Sequence, residues 1–91
     1  MKRIEDGALV AVCTSPFSAA VLLGDKILVV DYNGSHGHRS EVPLPDGGHV
    51  VGLALPGPAA LLDSGVLVRW SVEKRRWRLI ARLFDEADAS A

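Results

Sequence analysis

Cysteine is nearly absent from this chain of 91 residues, which also has no glutamine, one asparagine and only 5% aromatic residues. Because Cys13 is the single cysteine, no disulfide can form within the chain. A chain of this length buries only about 60 to 65% of its unfolded surface, so its core is small. The 48% hydrophobic composition and the mean hydropathy of +0.21 therefore predict that apolar surface is hidden by association. The scarcity of thermolabile residues is typical of thermophiles, and a GC-rich genome produces the same bias.

Long apolar runs are missing as well. No stretch approaches the roughly 20 apolar residues that a membrane-spanning helix needs. Lys2 and Arg3 resemble the start of a signal peptide, but Glu5 and Asp6 follow them, and the apolar run 8–13 is short. We therefore expect a cytoplasmic protein with a reduced thiol and no membrane partner.

Motifs of catalysis are also missing. The sequence has no glycine-rich phosphate-binding loop, no paired-carboxylate motif and no nucleophile elbow. Cys13 would need a base within hydrogen-bonding reach to act as a nucleophile, and only a tertiary contact could bring His49 to it. A buried, inert cysteine at the end of an apolar strand is the favoured interpretation. The sequence thus leans away from an enzyme and indicates no cofactor.

What the chain does contain is a repeat of about 40 residues. The segments 19–32 and 58–71 are similar at an offset of 39, which places Leu22-Leu23 on Leu61-Leu62 and Ile27-Leu28-Val29 on Val66-Leu67-Val68. Each copy has the pattern of four strands joined by turns. We predict a single all-β domain over 1–91, made of two four-stranded antiparallel meanders. Its parts are repeat one (7–47), repeat two (48–84) and a flexible acidic tail (85–91).

The last hairpin shows the clearest alternation. With Lys74-Arg75 at its tip, Val72 pairs with Trp77 and Trp70 with Leu79, continuing to Val68 with Ala81 and Val66 with Leu83. All eight side chains are apolar and share one face, so both tryptophans should point into the core. A helix over 78–88 is the competing interpretation, because Leu79, Ile80, Leu83 and Phe84 also have helical spacing.

The corresponding hairpin of the first repeat has a polar tip over 33–40. Pro43 cannot donate a ladder hydrogen bond, so its strand should lie at an edge or end early. His36 and His38 lie two residues apart in this tip, on the same side of an extended chain. With a third ligand they would suit zinc or copper; otherwise they are solvated loop residues.

The second copy of the repeat contains Gly48-His49, Ser64-Gly65 and Trp70-Ser71, and the first contains Asp31-Tyr32. With these residues the repeat resembles a β-propeller blade, either of the WD-repeat type, whose Trp-Asp pair falls near Trp70-Ser71 and Asp31-Tyr32, or of a generic propeller. The resemblance implies that each blade buries both faces, so two blades need further copies. Three or four chains would close a cyclic ring. A small eight-stranded barrel or a β-sandwich remains the alternative fold.

Charge is distributed unevenly behind the net value of −1. The segment 69–82 holds six basic residues and one acid, whereas the rest of the chain holds four basic residues and ten acids. These cations could be solvated, could meet acidic turns of a neighbouring copy, or could bind the phosphates of nucleic acid or another acidic partner. The candidate partner-binding or phosphate-binding residues are Arg69, Lys74, Arg75, Arg76, Arg78 and Arg82.

These features together predict a non-enzymatic scaffold protein whose partner is itself, most simply as a cyclic trimer or tetramer. The alternative is a small β-barrel that binds nucleic acid through the basic hairpin 69–82. A metal-binding protein using His36 and His38 is a remote third hypothesis.

Overall fold

The computed structural model of the chain describes Ile4 and the ranges 7–14, 17–33 and 36–84. The predicted tail 85–91 lies outside these residues. Eight strands follow one another in two sets of four. They are β1 (Val10–Thr14), β2 (Phe17–Leu22), β3 (Lys26–Asn33), β4 (His36–Pro43), β5 (Val50–Ala54), β6 (Ala59–Leu62), β7 (Val66–Ser71) and β8 (Arg76–Arg82).

The strands form two separate antiparallel meanders, with the orders β1-β2-β3-β4 and β5-β6-β7-β8. This confirms the predicted all-β fold with two four-stranded sheets. No ladder joins β4 to β5 within the described residues, so the alternative of one closed eight-stranded barrel is wrong. As predicted from Pro43, β4 is an edge strand and ends at that residue.

Alternation divides each sheet into an inner face, which meets the other sheet, and an outer face. On the inner face of the first sheet, Ala20, Ile27, Val29 and Val42 are at most 5% exposed and form a core cluster. On the inner face of the second sheet, Ala60, Leu62 and Val68 are buried. These seven side chains are the buried apolar residues of the described chain, which is a small core for two sheets.

Two tryptophans join the sheets at their outer strands. Trp70 and Trp77 pack against the core cluster of the first sheet, and their rings meet edge to face with centroids 5.5 Å apart. The indole Nε1 of Trp77 donates a hydrogen bond of 2.8 Å to the carbonyl of Pro43. The backbones of the two sheets come nearest along β1, β2 and β5. The two sheets therefore form a wedge. They lie close together at β1 and β5 and diverge toward β4 and β8, where the two indoles fill the gap.

The histidine segment is a strand, and its prediction as a loop tip is wrong. His36 already pairs with Asn33, and β4 continues from there through the whole region predicted to be irregular. The glycine, serine and histidine composition indicated a loop, whereas the partner strand β3 supplies a continuous ladder.

The register of the last hairpin also differs from its prediction. Trp70 pairs with Trp77, so the turn spans four residues, 72–75, and Val72 is 72% exposed in it. Ser71 Oγ accepts a hydrogen bond of 3.3 Å from the Lys74 amide, and Arg75 has φ 52°, a left-handed conformation that closes the longer turn. A slip of two residues preserves the alternation, so both tryptophans remain on the inner face as predicted. Strand β8 ends at Arg82, so residues 78–82 of the ambiguous segment are strand, whereas Leu83 and Phe84 are helical.

Candidate interaction surfaces

The outer face of the first sheet is apolar and exposed. Its described apolar side chains include Val10, Val12, Phe17 and Tyr32, which are 45%, 73%, 65% and 52% exposed. On side chains of roughly 150 to 220 Å² each, these fractions leave a total of roughly 400 Å² uncovered on this face. A standard protein–protein interface buries about 800 Å² on each partner, and somewhat more than half of that area is apolar. The patch is therefore large enough to serve as the apolar part of a specific interface.

The Tyr32 ring is held in place on this face by a glycine. Tyr32 and Gly37 are cross-strand partners, and a Cβ at Gly37 would lie 3.1 Å from the ring carbon Cε1. The absence of a side chain at Gly37 thus lets the ring lie flat over the neighbouring strand. Lys26, Arg39 and Glu41 give the same face a charged part, in which Lys26 Nζ donates a hydrogen bond of 2.9 Å to Glu41 Oε1. This hydrogen bond and the opposite charge raise the pKa of Lys26 and lower the pKa of Glu41.

The outer face of the second sheet combines apolar and basic residues. Ile80 is 56% exposed on it, and Leu61 and Leu67 are half-buried. Arg69 and Arg78 lie directly opposite each other in the ladder between β7 and β8. Neither forms an ion pair with a described residue. Like charges that face each other across a ladder destabilise it, so this pair favours an external anion or carboxylate.

The six predicted basic residues do not form one surface. Arg69, Arg76 and Arg78 share the outer face of the second sheet, because Arg76 pairs with Ser71 and the alternation holds up to Arg78. Lys74 and Arg75 lie in the turn at the tip of this hairpin. A bulge at Ile80 then shifts the register, so that Arg82 pairs with Val66 and lies on the inner face. The predicted alternation of Arg82 with Arg76 and Arg78 along one face is therefore wrong.

The tryptophans cannot supplement this basic surface. Both lie on the opposite face of the sheet, against the core of the first sheet. They are therefore unavailable to stack on bases next to Arg69 and Arg78.

A recess of about 520 Å³ opens between the sheets near their last strands. Asp31 and Ser40 of the first sheet line it from one side, and Trp70 and Arg75 of the second sheet line it from the other. A carboxylate from one sheet and a guanidinium from the other thus line the same recess.

The two histidines of the metal hypothesis lie on one face of β4, as the two-residue spacing predicts. His38 pairs with Asp31 and His36 with Asn33, and both imidazoles are exposed. In the part of the chain that the structure describes, no group of three His, Cys, Asp or Glu side chains could hold a metal ion. The third ligand that this hypothesis requires is thus not found among those residues.

Cys13 and His49 are not neighbours in the fold. Val10, at the start of β1, pairs with Val21, and His49 shares a recess with Leu22 at this same end of the sheet. Cys13 lies at the other end of β1, opposite Ser18. The fold therefore does not bring His49 to this thiol.

One structural contact was missed by the sequence reasoning. Asp63, in the turn after β6, accepts a hydrogen bond of 3.1 Å from the His49 amide through Oδ1 and donates its own amide to the His49 carbonyl at 2.8 Å. Gly48 has φ +149°, and a Cβ there would collide with this carboxylate. The Gly-His pair that suggested a blade is thus tied to an aspartate in the tight turn. In the sequence, Asp63-Ser64-Gly65 indicated a turn but did not indicate that His49 would be its partner.

Comparison of the chain with protein-family models, with curated proteins and with solved structures finds no match. Among the described residues, no helix has the length and apolar character required to cross a membrane.

Proposed function

We propose that this protein is a non-enzymatic scaffold that assembles with copies of itself through the outer faces of its two blade-like sheets. The observation that carries the proposal is the exposed apolar outer face of the first sheet. Phe17 and Val12 lie on it more than 60% exposed, in a chain that buries very few large side chains. Sheets normally bury at least one face, and blades bury both. A second copy of the chain buries the outer face that one chain leaves exposed.

A cyclic trimer or tetramer is the assembly that we favour. The wedge between the two sheets gives successive sheets a rotation about the narrow side, and a constant rotation closes into a ring. Such a ring would present its hairpin turns and the recesses between sheets at its rim. These are the places where a scaffold binds other molecules.

Light scattering coupled to size-exclusion chromatography tests the proposal. We expect three or four times the chain mass of 9.7 kDa at micromolar concentration. A monomer that persists up to the highest soluble concentration would refute self-assembly. The Val12→Glu substitution should lower the mass, because a carboxylate cannot be buried in an apolar interface without a large penalty.

Nucleic-acid binding is the second candidate, and the opposed Arg69 and Arg78 are the observation that favours it. Three guanidinium groups on one face and two further cations at the tip could contact successive phosphates. Binding of a fluorescent single-stranded oligonucleotide should then weaken steeply with salt and fall several-fold in the double variant Arg76→Ala, Arg78→Ala. Arg39→Ala, on the other sheet, is the matched control. Equal binding by all three proteins, or none by the wild type, would exclude this function.

A further inference from the structure

The two sheets lie over each other in the same strand order. Strand β5 lies beside β1, because the two sheets come nearest there. The start of strand β8 lies next to the end of β4, because Trp77, the second residue of β8, donates its hydrogen bond to Pro43, the last residue of β4. The second sheet is thus laid over the first with first strand on first strand and last on last.

The strands also run in the same direction. Strand β4 ends at Pro43, and only six residues, 44–49, lead to Val50 at the start of β5. Val50 and His49 share a recess with Leu22, at the end of the first sheet where β1 begins. Strands β1 and β5 therefore start at the same end of the molecule and run parallel.

Because the strand order and the strand direction are the same, the first sheet can be superposed on the second without being turned over. The inner face of the first sheet corresponds to the outer face of the second, and the outer face of the first corresponds to the inner face of the second. The cross-strand ladders give the correspondence residue by residue. On the first pair of faces, the row Leu22-Ile27-Val42 corresponds to Leu61-Leu67-Ala81. On the second pair, the row Val21-Leu28-Glu41 corresponds to Ala60-Val68-Leu79.

We infer that the outer face of the second sheet docks on the outer face of the first sheet of another copy, so that chains associate head to tail. This inference rests on the proposed self-assembly and specifies its surfaces. The two free faces correspond to the two faces that already pack together inside the chain, and most of the corresponding positions are apolar in both. The occupant of each free face is therefore a second copy of this chain, which continues the existing packing.

Charged side chains are where the free faces depart from this match. On the outer face of the first sheet, Glu41 and Arg39 stand where the second sheet has Leu79 and Trp77. The outer face of the second sheet departs at an arginine pair. Arg69 and Arg78 stand in the row that corresponds to Val29 and Ser40. Within the chain, Val29 lies near Trp70. When the next copy docks in the same way, Arg69 and Arg78 lie near Val30 and Tyr32 of that copy. The aliphatic stems of the arginines can cover that surface while the guanidinium groups reach the Tyr32 ring or solvent.

Two variants that block one face each can test this arrangement. Phe17→Glu places a charge on the outer face of the first sheet, and Ile80→Glu places one on the outer face of the second. In head-to-tail association each variant retains one intact face, so each should be monomeric alone. An equimolar mixture should form a 1:1 dimer of twice 9.7 kDa, because the remaining junction brings the two glutamates together. Val72→Glu, in the exposed turn, is the matched control and should keep the wild-type mass.

The outcomes separate this inference from the function on which it rests. A monomeric wild type would overturn both. A wild-type oligomer whose mass is unchanged by Ile80→Glu, or variants that do not combine on mixing, would overturn head-to-tail docking and leave self-assembly intact. Circular dichroism checks that each variant is folded. If either is not, Val12→Glu and Ala54→Glu replace them at exposed positions on the same two faces.

Discussion

The contact between Trp77 and Pro43 provides the sharpest test of how the two sheets are held together. In Trp77→Phe the hydrogen bond of 2.8 Å to the Pro43 carbonyl is lost, which costs about 1 kcal/mol. The smaller ring also gives up roughly 50 Å² of contact, of which about half is buried in the wild type, and this costs about 0.5 kcal/mol more. We therefore expect Trp77→Phe to lower the free energy of unfolding by about 1.5 kcal/mol.

The matched control is Trp70→Phe. Trp70 packs on the same core cluster, but its indole makes no hydrogen bond with any described residue. Its replacement should therefore cost only the ring area, about 0.5 kcal/mol. Urea titration followed by far-ultraviolet circular dichroism measures both values, and the midpoint of Trp77→Phe should fall by about 1 M. Each titration is run at two protein concentrations, because association adds to the apparent stability.

Two results would contradict this reasoning. Equal losses in the two variants would mean that the hydrogen bond to Pro43 contributes nothing to the coupling of the sheets. A loss in Trp77→Phe within about 0.3 kcal/mol of zero would mean that the indole does not join the sheets at all, and the strand correspondence built on this contact would fall with it.

Three further predictions concern single contacts. Asp63→Ala removes the acceptor that caps the start of β5 and should cost about 1 kcal/mol, measured by the same titration. Gly65→Ala should cost about 2 kcal/mol, because Gly65 has φ +85° and lies under an aromatic ring, whereas Gly24→Ala, with open space around it, should change stability by less than about 0.5 kcal/mol. Lys26→Met should raise the lowered pKa of Glu41 back toward its ordinary value in an NMR titration. The stabilisation by Glu41 should be present above its ordinary pKa and disappear as the pH falls through the lowered one; that by Lys26 should disappear as the pH rises through its raised pKa.

Alternation and turn chemistry predicted the strands well. The period of two in the last hairpin assigned Trp70 and Trp77 to the inner face, and Pro43 marked the end of an edge strand. Both follow from local rules, because strand side chains alternate and proline cannot donate a ladder hydrogen bond. A slip of two residues in the hairpin register left both tryptophans on the predicted face, since it preserves the alternation. The bulge at Ile80 moved Ala81, predicted on the inner face, to the outer face opposite Leu67.

Local rules did not predict the features that depend on pairing between strands. His36 and His38 sit in a strand because β3 offers them a ladder, although their own composition is that of a loop. The bulge at Ile80 turns Arg82 to the inner face, and no feature of the sequence around it marks the extra residue. The cap between Asp63 and His49 joins positions 14 residues apart, and only the closed meander brings them together.

The repeat itself shows how a single residue decides which faces of the two sheets correspond. Aligned at a constant offset of 39, Ile27 falls on Val66, which is an inner-face residue in both copies and would relate the sheets face to face. The ladders instead place Ile27 on Leu67, because Leu22 pairs with Ile27 but Leu61 pairs with Leu67, so the second turn is one residue longer. A shift of one residue moves a whole strand to the other face. The inner face of the first sheet then corresponds to the outer face of the second, which leaves two unlike surfaces free. Like surfaces would close a dimer with a twofold axis, whereas unlike ones call for a chain of copies that ends only in a ring.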